Sequence, residues 1–241
     1  MAVAVIQARM GSSRLPGKVL RPLGARSVLA WVVRAARASG EIDEVVVATS
    51  TRPGDDVVAE EAATLGCRVA RGPEDDVLGR FLIALASCPD ETTVVRLTAD
   101  CPLLDPAVIG FAVRAFASAP LDYLSTTLTR TLPRGLDVEV TSAGALRALD
   151  ALAVGTERVH VTPHFYLHPE QHSIAGLSFA PPADDLRVTL DEPDDAAVIE
   201  ALVDLLGDEP PAWRDLVATL RLRDDLVARN AAVRQKEIDE G

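Results

Sequence analysis

The 241-residue chain contains only three cysteines, Cys67, Cys88 and Cys101. They are widely spaced, odd in number and without a CxxC pair, which argues against a disulfide framework and a cysteine zinc site. Aromatic residues are also scarce, at 4% of a chain that is 48% apolar. We therefore expect reduced cysteines, as in a cytosolic protein, and a core built mostly from valine, leucine and alanine.

Long apolar runs are absent too. None approaches the roughly 18 residues of a membrane span, and the first residues have neither the charged region nor the cleavage site of a signal peptide. These absences predict a soluble cytoplasmic protein without a membrane partner. The length fits one large α/β domain, or one domain with a small subdomain.

Two common nucleotide-binding motifs are missing. A Walker A loop has four residues between its glycines and a serine or threonine after its lysine. Here five residues separate Gly11 from Gly17, and Val19 follows Lys18. No predicted strand is followed by GxGxxG, so a dinucleotide site has little support as well.

Acidic residues are absent from the first 40 positions, although the chain has a net charge of −12. A basic segment in an acidic protein indicates a local anionic ligand, whereas a nucleic-acid-binding protein is usually basic over a whole face. We therefore predict no nucleic-acid partner. The basic residues of this segment are Arg9, Arg14, Lys18, Arg21, Arg26, Arg34 and Arg37.

Lysine is rare: Lys18 and Lys236 are the only two among 24 basic residues. Lys18 lies in a loop that contains glycine, serine and proline and follows an apolar run at 3–6. Such a loop between a strand and a helix is typical of phosphate sites, where a compact ammonium group is useful. The alternative is a lysine placed by chance on a surface turn.

Apolar runs and helical patterns alternate through the first half of the chain. We predict strands at 3–6, 45–49, 67–70 and 93–97, and helices at 28–38, 53–65, 75–87 and 106–117. Alternation of this kind predicts an α/β fold with a doubly wound, mostly parallel sheet. Ligands of such folds bind at the carboxyl ends of the strands.

The pattern is looser in the second half. We predict strands at 138–140, 173–179 and 186–190, helices at 143–152 and 193–206, and irregular structure at 160–172. Residues 1–220 are interpreted as a single domain with an inserted arm at about 155–180. Residues 221–241 are interpreted as a charged, solvated C-terminal helix.

Two aspartates, Asp100 and Asp191, each follow a predicted strand and precede a predicted helix. Carboxylates at such positions face the cleft and can bind Mg²⁺. The alternative is a helix N-cap; Asp105 is better placed for that role after Asp100, whereas both interpretations of Asp191 stay open. Cys101 has no positioned histidine nearby and is interpreted as a buried thiol.

The four histidines, His160, His164, His168 and His172, are spaced four residues apart. On one helix they would share a face and favour a metal site. Prolines at 163 and 169 interrupt any such helix, and the glutamate of HExxH is missing. We therefore do not predict a histidine metal site.

Residues 7–18 resemble the nucleotide-binding signature of the CMP-sugar synthetase superfamily. This superfamily includes CMP-Kdo synthetases, acylneuraminate cytidylyltransferases and the spore-coat polysaccharide (SpsF-like) cytidylyltransferases. Six further segments resemble it in the same order, and together they are most similar to the SpsF-like branch. They are 47–50, 71–80, 96–103, 134–140, 157–163 and 189–195.

The resemblance implies a nucleotide-diphospho-sugar transferase-like fold, CTP as a substrate and Mg²⁺ as a cofactor. It implies metal binding by Asp100 and Asp191 and a catalytic, triphosphate-binding role for Lys18, Arg14 and Arg9. Sialic-acid enzymes carry an aspartate at the position of Thr189, which argues against that branch. The resemblance also implies nucleotide contacts, among which Arg71 would bind the cytosine base. The implied nucleotide-binding residues are Ala8, Gly11, Ser12, Ser13, Arg71, Arg96 and Thr98. Contacts to the acceptor or a dimer partner are implied for Arg134, Asp137, Glu139, Arg158 and His160.

The implied reaction joins CMP to an acidic sugar, as in polysaccharide biosynthesis, and releases pyrophosphate. Transfer to a phosphonate or another small acceptor stays open, as does a non-catalytic nucleotide-binding or assembly protein on the same fold. The resemblance also implies a homodimer. Phe165 and Tyr166 in the arm would then pack on the twin subunit, or else fill the core of a lid.

Overall fold

A seven-stranded sheet forms the centre of the structure, a computed structural model that describes residues 1–235. A separate two-stranded sheet is formed by β2 (Pro22–Leu23) and β3 (Arg26–Ser27). The strands of the main sheet are β1 (Ala2–Gln7), β4 (Glu44–Ser50), β5 (Arg68–Gly72), β6 (Thr93–Thr98), β7 (Tyr123–Ser125), β8 (Glu139–Ser142) and β9 (Ile174–Gly176).

Helices cover both faces of this sheet. Those of the first half are α1 (Val28–Ala38), α2 (Asp56–Thr64), α3 (Val77–Ala84) and α4 (Pro106–Ala117). Those of the second half are α5 (Ala143–Leu149), α6 (Thr156–His160), α7 (Pro163–Leu167), α8 (Pro193–Leu206), α9 (Trp213–Arg221) and α10 (Asp224–Asn230). Within residues 1–235, no helix is both long and apolar enough to cross a membrane.

The sequence of β1 shows why the sheet is buried on both faces. Successive side chains of a strand point to opposite faces. Ala4 and Ile6 pack in the hydrophobic cluster that contains α1, α4 and α8. Val3 and Val5 pack in the other cluster, with α3 and α5. A strand that is apolar on both sides therefore lies between two helical layers, as parallel sheets require.

The strand order is β5-β4-β1-β6-β8-β7-β9. From β1 the chain moves outward to β4 and β5, and then returns to β6 on the other side of β1, with all of these pairs parallel. The pairs β6–β8 and β7–β8 are antiparallel. The predicted mostly parallel, doubly wound sheet is therefore confirmed, and the reversal between β1 and β6 leaves a crevice at their carboxyl ends.

The second half differs from the prediction in several places, and β7 and α9 were not predicted at all. Residues 186–190 are extended but do not join the sheet: Val188 N donates to Arg134 O at 2.7 Å and Leu190 N donates to Asp100 O at 2.8 Å. Residues 160–172, predicted to be irregular, include the end of α6 and all of α7. The end of the predicted arm, β9, pairs with β7 and belongs to the main sheet.

The predicted solvated helix at 221–241 is only partly helical in the described residues. Arg221 ends α9, and α10 covers seven residues. Leu226 and Asn230 of α10 are buried, and the helix packs on α8. One side of α10 is therefore buried, whereas Asp224, Asp225, Ala228 and Arg229 are exposed, and positions 236–241 lie outside the described residues.

Candidate active site

A cleft of about 600 Å³ opens at the carboxyl ends of β1 and β6. Its volume is in the usual range for a small-molecule site. Although the chain has a net charge of −12, seven basic side chains line the cleft against four acidic ones. The basic residues are Arg9, Arg14, Lys18, Arg80, Arg96, Arg130 and Arg134, and the acidic residues are Asp100, Asp137, Glu139 and Asp191. The cleft is therefore suited to an anionic ligand.

The loop after β1 is held in a closed shape. Met10 N donates to the buried Asp55 carboxylate at 2.6 Å, and Gly17 N donates to Met10 O at 3.0 Å. Gly17 has a φ of +72°, a conformation that favours glycine. The loop thus turns back on itself and brings Lys18 to the edge of the sheet. Ala8, Gly11, Ser12 and Ser13 also line the cleft.

Lys18 lies between the two aspartates that the sequence singled out. Its Nζ is 2.8 Å from Asp100 Oδ2 and 2.8 Å from Asp191 Oδ1. Asp100 follows β6, while Asp191 follows the extended segment that is bonded to the Asp100 carbonyl. Thr189, the position at which sialic-acid enzymes carry an aspartate, donates its hydroxyl to the same carbonyl at 3.3 Å. The fold therefore brings together side chains that are far apart in sequence.

The charges in this cluster support one another. Burial acts to lower the pKa of Lys18, but the attraction of Asp100 and Asp191 outweighs it and the pKa is raised. Burial likewise acts to raise the pKa of both carboxyls, but the Lys18 ammonium group holds the two pKa values below their usual range. All three groups are therefore charged at neutral pH.

Two arginines hold Asp191 from its other side. Its Oδ2 is 3.1 Å from Arg14 and 2.7 Å from Arg187, and Arg187 also pairs with the fully buried Asp195 at 2.9 Å. The Asp195 carboxylate in turn accepts a hydrogen bond from the Asp191 backbone N–H. The N-cap of α8 is Glu192, so the interpretation of Asp191 as a helix cap is excluded.

Asp195 should be essential to stability. The change Asp195→Ala removes a fully buried carboxylate that accepts from Arg187, Asn230 and the Asp191 backbone N–H, and it should lower the free energy of unfolding by about 3–5 kcal/mol. The exposed neighbour Asp194 provides the control, because Asp194→Ala should change it by less than about 0.5 kcal/mol. Urea denaturation measures both, and equal stability of the two variants would show that the buried network is unimportant.

The opposite wall of the cleft holds the predicted acceptor residues on β8 and the turn before it. Arg130 forms a two-bond pair with Asp137, at 2.5 and 3.0 Å. Arg96 and Glu139 are register partners on β6 and β8 and form a short ion pair. Arg134 lines the cleft without an ion pair to any residue at 1–235. Its guanidinium group is therefore available to an anion.

His160 and Tyr166 complete this wall. Between α6 and α7, Val161 has a φ of +73°, and Thr162 N donates to His160 O at 2.9 Å. This is a strained γ-turn, rare for a β-branched residue. Thr162 also forms a short hydrogen bond to Glu139. The turn thus fixes His160 beside the acceptor wall.

Two predicted site residues do not line the cleft. Arg71 donates to Ser50 O at 2.8 Å and pairs with Asp56 at 2.7 Å. Arg158 pairs with Asp76 and Asp150, at 2.9 Å in each case. The contacts of these arginines give no support to their implied roles, because both guanidinium groups are already bonded on the outside of the cleft.

Fewer basic residues of the first 40 positions belong to the site than the charge of this segment suggests. Of its seven basic residues, only Arg9, Arg14 and Lys18 line the cleft. The other four bind elsewhere: Arg21 to Glu200, Arg26 to Asp208, Arg34 to Glu209 and Arg37 to the Gly66 carbonyl. Two cleft arginines were missed by the sequence interpretation: Arg80, which lies in a segment that resembles the family, and Arg130, which no local pattern marks. Arg187, which pairs with Asp191 without lining the cleft, was missed as well.

Several other expectations can be compared with the structure. Asp105 caps α4 and accepts from Ala107 N at 2.7 Å. The three cysteines are buried and free, and burial raises the pKa of Cys101 well above its usual value, as expected for an inert thiol.

Phe165 is buried and stacks on Tyr123 at 5.1 Å. Packing of Phe165 on a twin subunit is therefore wrong, and a role in the local core is correct.

Comparison with known proteins agrees with this geometry. The cytidylyltransferase family model matches residues 3–193, which include Lys18, Asp100 and Asp191. The chain belongs to the cytidylyltransferase family. This result confirms the resemblance and identifies the protein as a nucleotidyltransferase.

Individual relatives support the same assignment. The spore coat polysaccharide biosynthesis protein SpsF of Bacillus subtilis is 34% identical over 229 residues, covering 91% of this chain and 93% of SpsF. A 3-deoxy-manno-octulosonate cytidylyltransferase of Acidobacterium capsulatum is 41% identical over 106 residues, which cover 44% of this chain and 42% of that enzyme.

Two solved structures share the fold. A cytidylyltransferase from Leptospira borgpetersenii superimposes with a TM-score of 0.90 at 28% identity, covering 97% of this chain and 99% of that chain. A CMP:2-keto-3-deoxy-manno-octonic acid synthetase complexed with CTP gives a TM-score of 0.66 at 18% identity, covering 85% of this chain and 98% of that one. The latter shows likeness of fold alone.

Proposed function

We propose that this cytidylyltransferase transfers CMP from CTP to the oxygen of an acidic sugar, in a Mg²⁺-dependent reaction that releases pyrophosphate. The observation that carries the proposal is the cluster of Lys18, Asp100 and Asp191 in a cationic cleft. It provides a phosphate-binding cation and two hard oxygen ligands at one point.

The two aspartates fit a magnesium ion. Their carboxylate oxygens already converge on one cationic group, the Lys18 ammonium, and both carboxyls stay ionised at neutral pH because their pKa values are lowered. Carboxylate pairs are usual protein ligands of Mg²⁺. Held by Asp100 and Asp191, a Mg²⁺ ion would supply Lewis-acid chemistry, which offsets phosphate charge and makes the acceptor hydroxyl more acidic.

The basic residues of the loop account for the transfer itself. The acceptor oxygen attacks the α-phosphorus of CTP in line with the leaving pyrophosphate. The new bond joins this oxygen to the phosphorus, the bond to pyrophosphate breaks, and negative charge accumulates on the pyrophosphate. Lys18, Arg14 and Arg9 lie along the loop and neutralise this charge. Ala8, Gly11, Ser12 and Ser13 bind the nucleotide alongside them, together with Arg96 and Thr98 from β6.

The acceptor binds against the wall formed by Arg134, Asp137, Glu139 and His160. Arg134 is suited to a carboxylate, since planar guanidinium groups bind carboxylates through paired hydrogen bonds. SpsF is named for polysaccharide biosynthesis and the Acidobacterium relative for an octulosonate, which is an acidic sugar. A phosphonate acceptor would use the same arginine, so it stays as the alternative.

We also propose that the protein is a homodimer and that it acts in the cytoplasm. Leu152, Val154 and Leu167, in and next to the arm, are exposed apolar residues, with exposed fractions of 48%, 71% and 53%. A twin subunit would cover such a surface. Of the two arm aromatics, Tyr166 faces the cleft rather than this surface.

The activity can be tested with the full chain, Mg²⁺ and each of the four ribonucleoside triphosphates, with pyrophosphate release as the readout. We expect release with CTP and an acidic keto-sugar, at least tenfold faster than with the other nucleotides. The matched neutral sugar alcohol, which lacks the carboxylate, should be a poor acceptor. Equal release with all nucleotides would contradict the proposal. Tight CTP binding without release for any acceptor would instead favour a non-catalytic binding protein.

A further inference from the structure

A second cluster of metal-binding side chains lies in the arm, away from Lys18 and the two aspartates. Glu157 is on α6 and His164 is on α7. His168 directly follows α7, and its backbone N–H donates to His164 O at 3.1 Å. One ligand atom from each of these residues lies within 4.8 Å of the other two. This cluster has no part in the proposed transfer reaction.

The spacing of the donor atoms suits a tetrahedral ion. Glu157 Oε2 is 3.1 Å from His164 Nδ1, and Glu157 Oε1 is 3.5 Å from His168 Nε2. Around a zinc ion with bonds of about 2.0–2.1 Å, neighbouring ligand atoms lie about 3.3–3.4 Å apart. The two imidazole rings are tilted by 41° to each other, with centroids 4.3 Å apart.

Unpartnered nitrogen atoms provide an independent observation. His164 is only 6% exposed, and its Nε2 has no hydrogen-bond partner in the described part of the chain. The same holds for the buried Nε2 of His172, whose ring packs edge-on against His164 at 5.5 Å. Buried polar atoms usually have partners, so unpaired imidazole nitrogens in a donor cluster point to a missing ligand.

We propose that Glu157, His164 and His168 bind one divalent transition-metal ion of the zinc class. Two imidazoles and one carboxylate match this class better than Mg²⁺, which prefers oxygen ligands. Water or His172 completes the coordination. The site is thus distinct in chemistry from the carboxylate pair at Asp100 and Asp191.

The ion would hold α6 and α7 together across the strained turn at Val161. These short helices carry Val159, His160 and Tyr166, all of which line the cleft. An ion at this position touches neither nucleotide nor acceptor, but it fixes the wall on which the acceptor lies. Its role is therefore structural support of the acceptor side.

The test uses the full chain, freed of metal with a chelator and titrated with Co²⁺, which reports tetrahedral coordination through strong visible absorption. We expect one Co²⁺ per chain with this spectrum, displaced by one equivalent of Zn²⁺. The variants Glu157→Gln and His168→Gln should weaken binding at least tenfold. His168 is 40% exposed at its side chain, so its replacement should leave the fold intact.

Two controls separate this site from others. Glu91→Gln, at an exposed glutamate, should bind Co²⁺ as the unaltered chain does. Asp191→Asn should also keep the tetrahedral spectrum, because the proposed magnesium site is not involved. The proposal would be overturned if the unaltered chain gave no tetrahedral spectrum. It would also be overturned if both ligand variants bound Co²⁺ as tightly as the unaltered chain does. If a ligand variant fails to fold, X-ray absorption of the zinc-loaded unaltered chain decides, since it must show two imidazole ligands.

Discussion

Replacing Lys18 with alanine should lower the turnover number with CTP by roughly 10²–10³, the usual effect of losing one transition-state charge contact. The Lys18 ammonium group touches both proposed metal-binding carboxylates, at 2.8 Å each. In the proposed reaction it neutralises the charge that develops on pyrophosphate. Steady-state rates of pyrophosphate release measure the effect.

The control for this variant is Arg21→Ala, in the same basic segment. Arg21 pairs with Glu200 on the surface, and both side chains are largely exposed, at 43% and 46%. Its loss should leave turnover unchanged. A Lys18→Ala enzyme that works within threefold of the unaltered rate would remove Lys18 from the mechanism.

The second large effect is expected at the carboxylates. Asp191→Asn removes a charge on which Lys18, Arg14 and Arg187 converge, and we expect loss of Mg²⁺-dependent turnover by more than about 10³. Asp100→Asn should have the same result. The measurement is pyrophosphate release as a function of Mg²⁺ concentration.

The matched control is Asp194→Asn, three residues further along. Asp194 is exposed and lies 3.4 Å from Arg229 on the surface. It should keep both the rate and its Mg²⁺ dependence. If Asp191→Asn behaved like Asp194→Asn, the metal would have to bind elsewhere in the protein.

The centre of the site could be predicted because parallel α/β topology follows from local patterns. Apolar runs placed β1 and β6, and the loops after parallel strands meet at one edge of the sheet. Lys18 and Asp100 therefore had to be neighbours if the alternation held. Asp191 was harder, because the segment before it is bonded to the Asp100 and Arg134 backbones and not to a sheet strand.

Arg130 and Arg187 could not be predicted as site residues, since their roles depend on where the fold places and buries the acids with which they pair. Arg187 is part of the site because it pairs with the fully buried Asp195. The sequence of this charged segment does not show which of its side chains are buried. Likewise, a count of charge in the first 40 residues could not show that Arg26 and Arg34 pair with Asp208 and Glu209. Charge composition located the segment but not the side chains that use it.

The histidines show a different limit. Pro163 does interrupt a single helix, and His160 and His164 lie on separate helices as a result. However, the γ-turn at Val161 folds α7 back so that Glu157 approaches His164 and His168. A spacing rule that assumes one straight helix cannot detect a cluster formed across a turn.

The most direct test of the proposed Lys18–Asp100–Asp191 centre is Mn²⁺ affinity, with electron paramagnetic resonance of the free ion as readout. Lys18→Ala should bind Mn²⁺ about tenfold more tightly than the unaltered chain, because a competing positive charge is gone. Asp191→Asn should bind at least tenfold more weakly. Equal Mn²⁺ affinity in all three proteins would contradict a metal site between these carboxylates.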